Sequence, residues 1–390
     1  MIISARNESL VIGNLIDSIH KQDYGSENVT IFVVADNCTD NTAEIARSMG
    51  CVVYERFDKE HARKGYALEY LFNQIERDYG IRSFDGYVFF DADNLLAGDF
   101  LTQINKPFDL GHSIVVGYRN TKNFDRNFIS AGYGIHFYTS TVMYHRPRLW
   151  LGLSTHIAGT GYLISSELLK DGWHHTCLTE DTEFTLSSVA KGEKIVFCED
   201  AEFFDEQPYE LKVMIRQRMR WVKGRLFAFL TNCGKLLKGM FQFGRKGFSC
   251  YDMFVYSFPS STYYGFRLFV FPFIKYAVSF IWSLFALKEV TAAGVVSESV
   301  ASSGILLAFW LFFEPKLRKW FLNVIKNTLV VIREHKKIRC NFFKLVFYLI
   351  LSPWFDAIGS ILALVSLFTS SEWKPIKHDE VISIDALEKK

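Results

Sequence analysis

The stretch GYVFFDADNLLAGDF, Gly86 to Phe100, decides the fold. Four apolar or aromatic residues, Tyr87 to Phe90, run straight into Asp91, Asp93 and Asn94. An apolar run of that length, bounded by turn residues, reads as a buried strand. A buried strand with two carboxylates at its tip points to topology, because open α/β sheets bind ligands outside the carboxyl ends of their strands.

Working outward, MIIS at the start, VTIFVVAD (29–36), CVVYERF (51–57), SIVVGYR (113–119) and KIVFCED (194–200) are short, β-branched or aromatic runs of the same kind. Between them ESLVIGNLIDSIHKQ and KGYALEYLFNQIERDYG carry apolar residues at helical spacing. Strands alternating with helices predict an α/β domain over residues 1–250, with a mainly parallel sheet covered on both faces. MIIS leaves at most three apolar residues for a first strand that should be central, which implies a natural start upstream of Met1.

Composition separates the rest of the chain. With 37 Phe and 16% aromatic residues in 390, there is more ring surface than one globular core buries. The runs 266–287, 292–313 and 342–368 are each long enough to cross a bilayer, which takes roughly 20 residues. Each carries interruptions: Arg267, Pro272 and Lys275 in the first, Glu298 in the second, Pro353 and Asp356 in the third. Domain bounds are therefore expected at 1–250, 251–369 (membrane region) and 370–390 (tail). The connecting segment 314–341 holds eight Lys or Arg, a cytoplasmic signature that places residues 1–250 on the same side. A single crossing by the third run would put the tail outside, whereas Pro353 and Asp356 also fit a re-entrant or interfacial helix. The location expected is the plasma membrane, multi-pass, with membrane lipid as a partner.

A net charge of +2 with scattered basic residues argues against a nucleic-acid partner. Seven cysteines without CxxC spacing read as buried thiols of a reduced compartment.

Polar clusters end three strands: Arg6, Asn7 and Glu8; Asp36 to Thr42; and Asp91 to Asn94. Carboxylates that converge with basic residues suit a Mg²⁺ or Mn²⁺ ion bridged to substrate phosphates. Neither GxGxxG nor a Walker loop is present in the sequence. Taken singly, DAD and DNCTDNT also read as turn and helix-cap chemistry. Likewise Glu180 and Asp181 of LTEDTEF read as a helix first turn favoured by the dipole. MIRQRMRWVKGR (214–225), with four arginines and a lysine, also reads as a solvated or membrane-surface face.

The ordered set SARNES, VVADNCTDNTAEIA, RKGYALEYLF, VFFDADN, AGTGYLI, LTEDTEF and QRMRW resembles the membrane-bound inverting glycosyltransferases of family 2. That group contains the synthases of cellulose, chitin, hyaluronan and poly-N-acetylglucosamine, and the tail WKPIKH (373–378) is similar to tails seen there. The resemblance implies a GT-A, Rossmann-like nucleotide-sugar domain followed by transmembrane helices. It implies transfer from a UDP-sugar, UDP-N-acetylglucosamine or UDP-glucose, to a growing polysaccharide, or in the alternative a single transfer to a lipid-linked acceptor. Asp93 would hold the metal, with Asp91 on the nucleotide and sugar. Asp36 would face uracil, Arg6 and Lys64 would lie near ribose or phosphate, and Glu8 belongs to the same end. Asp181 would be the base, with Glu180 beside it. Gln217, Arg218, Arg220 and Trp221 would close over the diphosphate and meet the acceptor. Two other classes stay open: a membrane transporter or channel with a nucleotide-sensing domain, and a soluble Rossmann-like oxidoreductase that lacks its glycine fingerprint.

Overall fold

The computed structural model describes residues 1–271, 273–275, 277–282, 317–369, 376 and 378–388. Eight strands form one mixed sheet of order β3-β2-β1-β4-β7-β6-β8-β5. They are β1 (Ile2–Ala5), β2 (Phe32–Asp36), β3 (Val52–Arg56), β4 (Gly86–Asp91), β5 (Leu95–Leu96), β6 (Ile114–Thr121), β7 (Tyr162–Ser165) and β8 (Ile195–Asp205). The pairs β1–β2, β1–β4, β2–β3 and β6–β8 are parallel, while β7 runs antiparallel to both β4 and β6. Despite its short apolar start, β1 is central, held between β2 and β4.

β4 shows why the opening stretch is decisive. Tyr87 and Phe89 enter a core with Leu68 and Phe72 of helix α3 (Lys64–Asp78). Val88 and Phe90 point the other way, toward Ile12 and Ile16 of α1 (Ile12–His20) and Phe100 of α4 (Phe100–Asp109). α2 (Thr42–Ser48) lies between them in the chain. Each such side chain contributes about 1.5–3 kcal/mol when buried, and Phe89 also stacks on Tyr162 at 4.6 Å.

Three departures from the sequence reading have local causes. β5 and β7 are two and four residues long, too short to show a period. β8 continues past residue 200 to Asp205, because Ala201 and Phe203 alternate into the core beyond the polar Glu199 and Asp200.

Helices α5 (Phe128–Ser140), α6 (Arg146–Leu151), α7 (Glu180–Lys191), α8 (Leu211–Met240), α9 (Arg245–Ser257) and α10 (Ser260–Gly265) follow or interrupt the sheet, with a π-helical turn, Thr141–His145, joining α5 to α6. Of the expected spans, 292–313 lies outside the described residues, and 266–287 is described only to 282, as a π-helical turn and an apolar helix Phe273–Trp282. Among the described residues one helix, Phe342–Ser366, is long and apolar enough to cross a membrane. Of the three expected spans, one is thus found as a candidate among the described residues.

That helix is fastened to the α/β domain along its length. At its start Lys344 pairs with Asp125 at 3.0 Å. In its middle the Phe355 ring sits 5.1 Å from Tyr133, in space that Gly132 leaves open. Beyond its end Lys223 Nζ donates to Thr369 O at 2.7 Å. The tail then returns to the sheet: Ile384 and Leu387 pack with Leu95 and Phe204, and Lys21 bonds Asp385 at 2.6 Å. Both ends of the helix thus meet the same domain.

The helix over 317–334 is pinned similarly. Glu334, only 2% exposed, accepts from Tyr118 Oη at 2.7 Å and from the Arg146 guanidinium, which also reaches Glu199 at 2.8 Å. Removing one partner of a buried ion pair leaves an uncompensated charge. Glu334→Leu is expected to lower stability by about 3–5 kcal/mol, read as a fall in the denaturant midpoint with an unchanged slope.

Candidate active site

The parallel registers Ser4 with Asp91 and Ala5 with Ala35 bring the tips of β1, β2 and β4 level. Past β1 and β2 the chain turns through Asn7 and Asn37, both left-handed at φ 57° and 53°, a conformation Asn tolerates better than most residues. Asp36 is bonded by Arg6, by Arg56 at 2.7 Å and by Asn37 at 3.0 Å. Both of its oxygens are engaged inside the protein, so its placement is that of an anchor for Arg6. Asp40, rather than Asp36, satisfies the start of α2, accepting from the Thr42 amide at 3.2 Å.

At the tip of β4, Lys64 from the first turn of α3 pairs with Asp91 and donates to Gly159 O at 2.8 Å. Gly159 holds φ +86°, which orients that carbonyl without the strain a side chain would bring. Burial opposes the Lys64 charge, yet Asp91, Glu180 and Asp181 hold its pKa above the ordinary value. Thr160 and Asn94 tie down the Asp91 amide at 3.0 and 3.2 Å.

Asp93 is 6% exposed and accepts from the Glu206 amide at 3.0 Å. His378, returning on the tail, stands among Glu8, Asp93 and Glu206, with its Nδ1 2.9 Å from Glu8 Oε2. Burial disfavours its charge, but Asp93 and Glu8 push its pKa up to about 10. Burial likewise raises Glu8 to about 7 against the pull of His378. For Asp93 burial is outweighed by His378, Lys122 and the Glu206 amide, and its carboxyl sits below the usual range. Three carboxylates around one imidazolium leave an excess of negative charge. Hard oxygen donors suit Mg²⁺ or Mn²⁺. Among the described residues no three His, Cys, Asp or Glu side chains form a ready-made metal cage. Asp93 therefore fits an ion that completes its shell with substrate oxygens.

Helix α7 delivers Glu180 and Asp181. Thr179 occupies the N-cap, so Asp181 is a first-turn residue, and its Oδ1 accepts from its neighbour's amide, Thr182, at 2.7 Å. Gly159 leaves the space beside Asp181 Oδ2 open. Burial, and then Asp181 itself, raise Glu180 to about 7; burial raises Asp181, opposed by the Thr182 amide, Lys64 and Arg220.

The QRMRW segment lies on α8. Arg220 donates to Leu178 O at 2.9 Å, bracing the loop before Asp181. Trp221 meets Tyr133 edge-on at 5.7 Å. Arg218 differs from the expected clamp: its guanidinium covers the Phe355 ring at 4.1 Å and donates to Phe355 O at 2.8 Å, so it also docks the apolar helix. Gln217 Oε1 is buried without a hydrogen-bond partner among the described residues.

All twelve residues singled out from the sequence line one cavity of about 1520 Å³. The same cavity exposes residues that sequence reasoning passed over: Arg119, His136, Asp205, Glu206 and His378. Asp205 and Glu206 close β8 as Asp91 and Asp93 close β4, so the strand-end rule would have found them had β8 been read to its end. Arg119 bonds Asp205 at 2.6 Å and covers the Phe137 ring at 3.8 Å.

The model of the "Glycosyltransferase like family 2" family matches residues 1–224. The chain belongs to glycosyltransferase family 2. Its sheet is the GT-A, Rossmann-like arrangement of that family. It is 27% identical over 299 residues to the probable glycosyltransferase YdaM of Bacillus subtilis, covering 73% of this chain and 66% of YdaM. It is 23% identical over 233 residues to the β-monoglucosyldiacylglycerol synthase of Synechocystis, covering 57% of this chain and 47% of that protein. The chain thus spans between about half and two thirds of the curated relatives it matches. Among solved structures, the mannosyltransferase PcManGT of Pyrobaculum calidifontis, in complex with GDP-Man and Mn²⁺, is 16% identical with a TM-score of 0.46, covering 85% of both chains.

Proposed function

We propose that this family-2 protein transfers a sugar from a UDP-sugar, with inversion, to the end of a growing polysaccharide at a membrane surface. The observation that carries the reading is the placement of Asp181 in the cavity that also holds Lys64, Asp91 and Asp93. A single displacement needs one base, and Asp181 Oδ2 is the oxygen that takes the acceptor proton. As the acceptor oxygen bonds the anomeric carbon, the bond from that carbon to the diphosphate breaks and UDP leaves with the electron pair. Lys64 and Arg6 orient the donor, and the raised pKa of Asp181 suits proton acceptance near neutrality. A Mg²⁺ or Mn²⁺ at Asp93 would neutralise the leaving diphosphate as a Lewis acid.

The surface supports membrane docking. Phe241, Phe243, Trp282, Phe321, Phe343 and Phe368 are all at least 60% exposed, on the helices after the sheet or in the turns that follow them, with Lys and Arg between them. Exposed apolar area of that extent marks a membrane or protein interface. Single transfer to a lipid acceptor is the second reading, favoured by Trp320 and Trp354 in the cavity wall and by the relative named for a diacylglycerol product. UDP release from a panel of UDP-sugars, followed by mass analysis of the product, tests both. A ladder of sugar units supports the polymer, one added sugar supports the lipid acceptor, and binding of UDP without consumption of any UDP-sugar overturns the transferase reading.

The pH profile follows from the acidic pair. Glu180 and Asp181 both sit above their ordinary values, and a base works only when deprotonated. We expect kcat/KM to fall as pH drops through about 7, the value for Glu180, with the apparent pKa belonging to the pair. Glu180→Gln removes the like charge and should move this acid limb to lower pH. An acid limb that stays in place would separate the pair from the titration.

A further inference from the structure

The helix over 317–334 is inside out for a helix in water, which normally turns its apolar side to the core. Leu317, Phe321, Leu322, Ile325, Leu329 and Ile332 recur at helical spacing along one side and are each 45–67% exposed. The opposite side carries polar groups inward: Asn327 Nδ2 donates to Ser352 Oγ at 2.7 Å, and Glu334 accepts from Tyr118 and Arg146. From 317 to 355 Glu334 is the single Asp or Glu in the sequence. With that acid turned inward, the charge left outside is positive: Arg318 and Arg333 are exposed on the helix, and Lys336 is exposed in the turn after it. Two arginines then join the stripe to a longer surface. Arg333 lies 5.5 Å over the Trp150 ring at the end of α6, where Trp150 and Leu151 are 67% and 63% exposed. Next to it Arg245, at the start of α9, rests against Gly152, where a Cβ would stand 3.1 Å from its Nη1, and Phe243 precedes it in the turn from α8. Apolar side chains from three separate segments are thus contiguous, with cations between them.

We propose that this surface is a docking face for an anionic lipid leaflet, with the helix over 317–334 lying flat among the headgroups and Arg245, Arg333 and Lys336 reading their charge. The proposal deepens the membrane-surface reading given above and rests on it. Charge and shape select the occupant. Arg318, Lys326 and Arg333 interrupt the helix along its length, and among the described residues only Phe342–Ser366 is apolar enough to cross a bilayer. A helix with one apolar side flanked by cations lies in the plane of the interface instead. A second copy meeting this one by the same surface would set Arg245 and Arg333 against their own equivalents. Each cation near an anionic leaflet strengthens binding by about fivefold. The docking also bears on the active site, because Lys319, Trp320, Asn323 and Lys326, on the flank of the same helix, line its cavity. That flank is where an acceptor held at the lipid surface would meet the cavity.

The test is photocrosslinking of the full chain in nanodiscs made of phosphatidylcholine and phosphatidylglycerol in equal parts. A benzoylphenylalanine replaces Phe321 or Ile332 on the stripe, or Tyr79 at the end of α3 as the control, and the adducts are identified by mass. Lipid adducts are expected at both stripe positions and not at Tyr79, with phosphatidylglycerol enriched about fivefold over phosphatidylcholine. The enrichment should fall toward the composition of the bilayer in Arg245→Gln combined with Arg333→Gln. Lys336→Gln, on the exposed turn, repeats the measurement should that pair not fold. Adducts with a second copy, or with residues 283–316 of the same chain, in place of lipid would overturn the docking face. Equal capture of the two lipids, or enrichment that persists in the folded variants, would overturn its charge reading. Lipid adducts without turnover of any UDP-sugar in the same nanodiscs would reject the transferase reading and leave the docking face standing. Turnover without lipid adducts would reject the docking face alone.

Discussion

Asp181→Asn is expected to lower turnover by about 10²- to 10⁴-fold while UDP and UDP-sugar still bind. The substitution is close to isosteric, and the one contact that fixes the side chain locally survives it: Asn also presents an oxygen to the Thr182 amide, which Asp181 holds at 2.7 Å. Thr179 rather than Asp181 is the N-cap of α7, so the helix loses no cap. What disappears is the capacity to take a proton, together with one of the three negative charges, those of Asp91, Glu180 and Asp181, that act on Lys64. Steady-state rates with the consumed UDP-sugar, beside UDP titration of the same preparation, separate the two effects. Full activity in Asp181→Asn would remove it from the role of base. Loss of donor affinity in proportion to rate would make it a binding residue.

Asp93→Asn is expected to abolish transfer in a chain that still folds. Asn94 Nδ2 and the Glu206 amide, at 3.3 and 3.0 Å, both donate to Asp93. Asn can keep one of these contacts, but it removes a full charge from the three carboxylates around His378. The affinity for Mn²⁺, measured by calorimetry without donor, should fall with it. In the unmutated chain EDTA should stop transfer, and Mg²⁺ or Mn²⁺ should restore it. Undiminished activity in EDTA would overturn the assignment of Asp93 to a metal. An inactive Asp93→Asn chain with unchanged Mn²⁺ affinity would place the ion elsewhere in the cavity.

Much of this architecture follows from local chemistry that the sequence carries. Tyr87 to Phe90 can only be buried on both faces as a strand between two helical layers, and Asp91 and Asp93 then fall at its carboxyl end. The alternation of such runs with helices over residues 1–250 determines the α/β class, and the strand-end rule locates Arg6, Asp36, Asp91 and Asp93. These signals are short in range: a period of two or of 3.6, followed by a turn.

Tertiary structure decided what depends on distant segments. β7 is four residues of little periodicity, and its antiparallel place between β4 and β6 is set by pairing alone. His378 reaches Glu8 across 370 positions because Ile384 and Leu387 find apolar cover on Leu95 and Phe204. Nothing local to WKPIKH encodes that contact. Arg218 reads as a diphosphate ligand in QRMRW, yet it packs on Phe355 because Gly359 leaves room for its guanidinium against the apolar helix. The helix Phe342–Ser366 has the length and apolarity of a membrane span. Its attachment to the α/β domain at both ends is a property of its partners, and hydropathy, which sums each residue alone, carries no record of them.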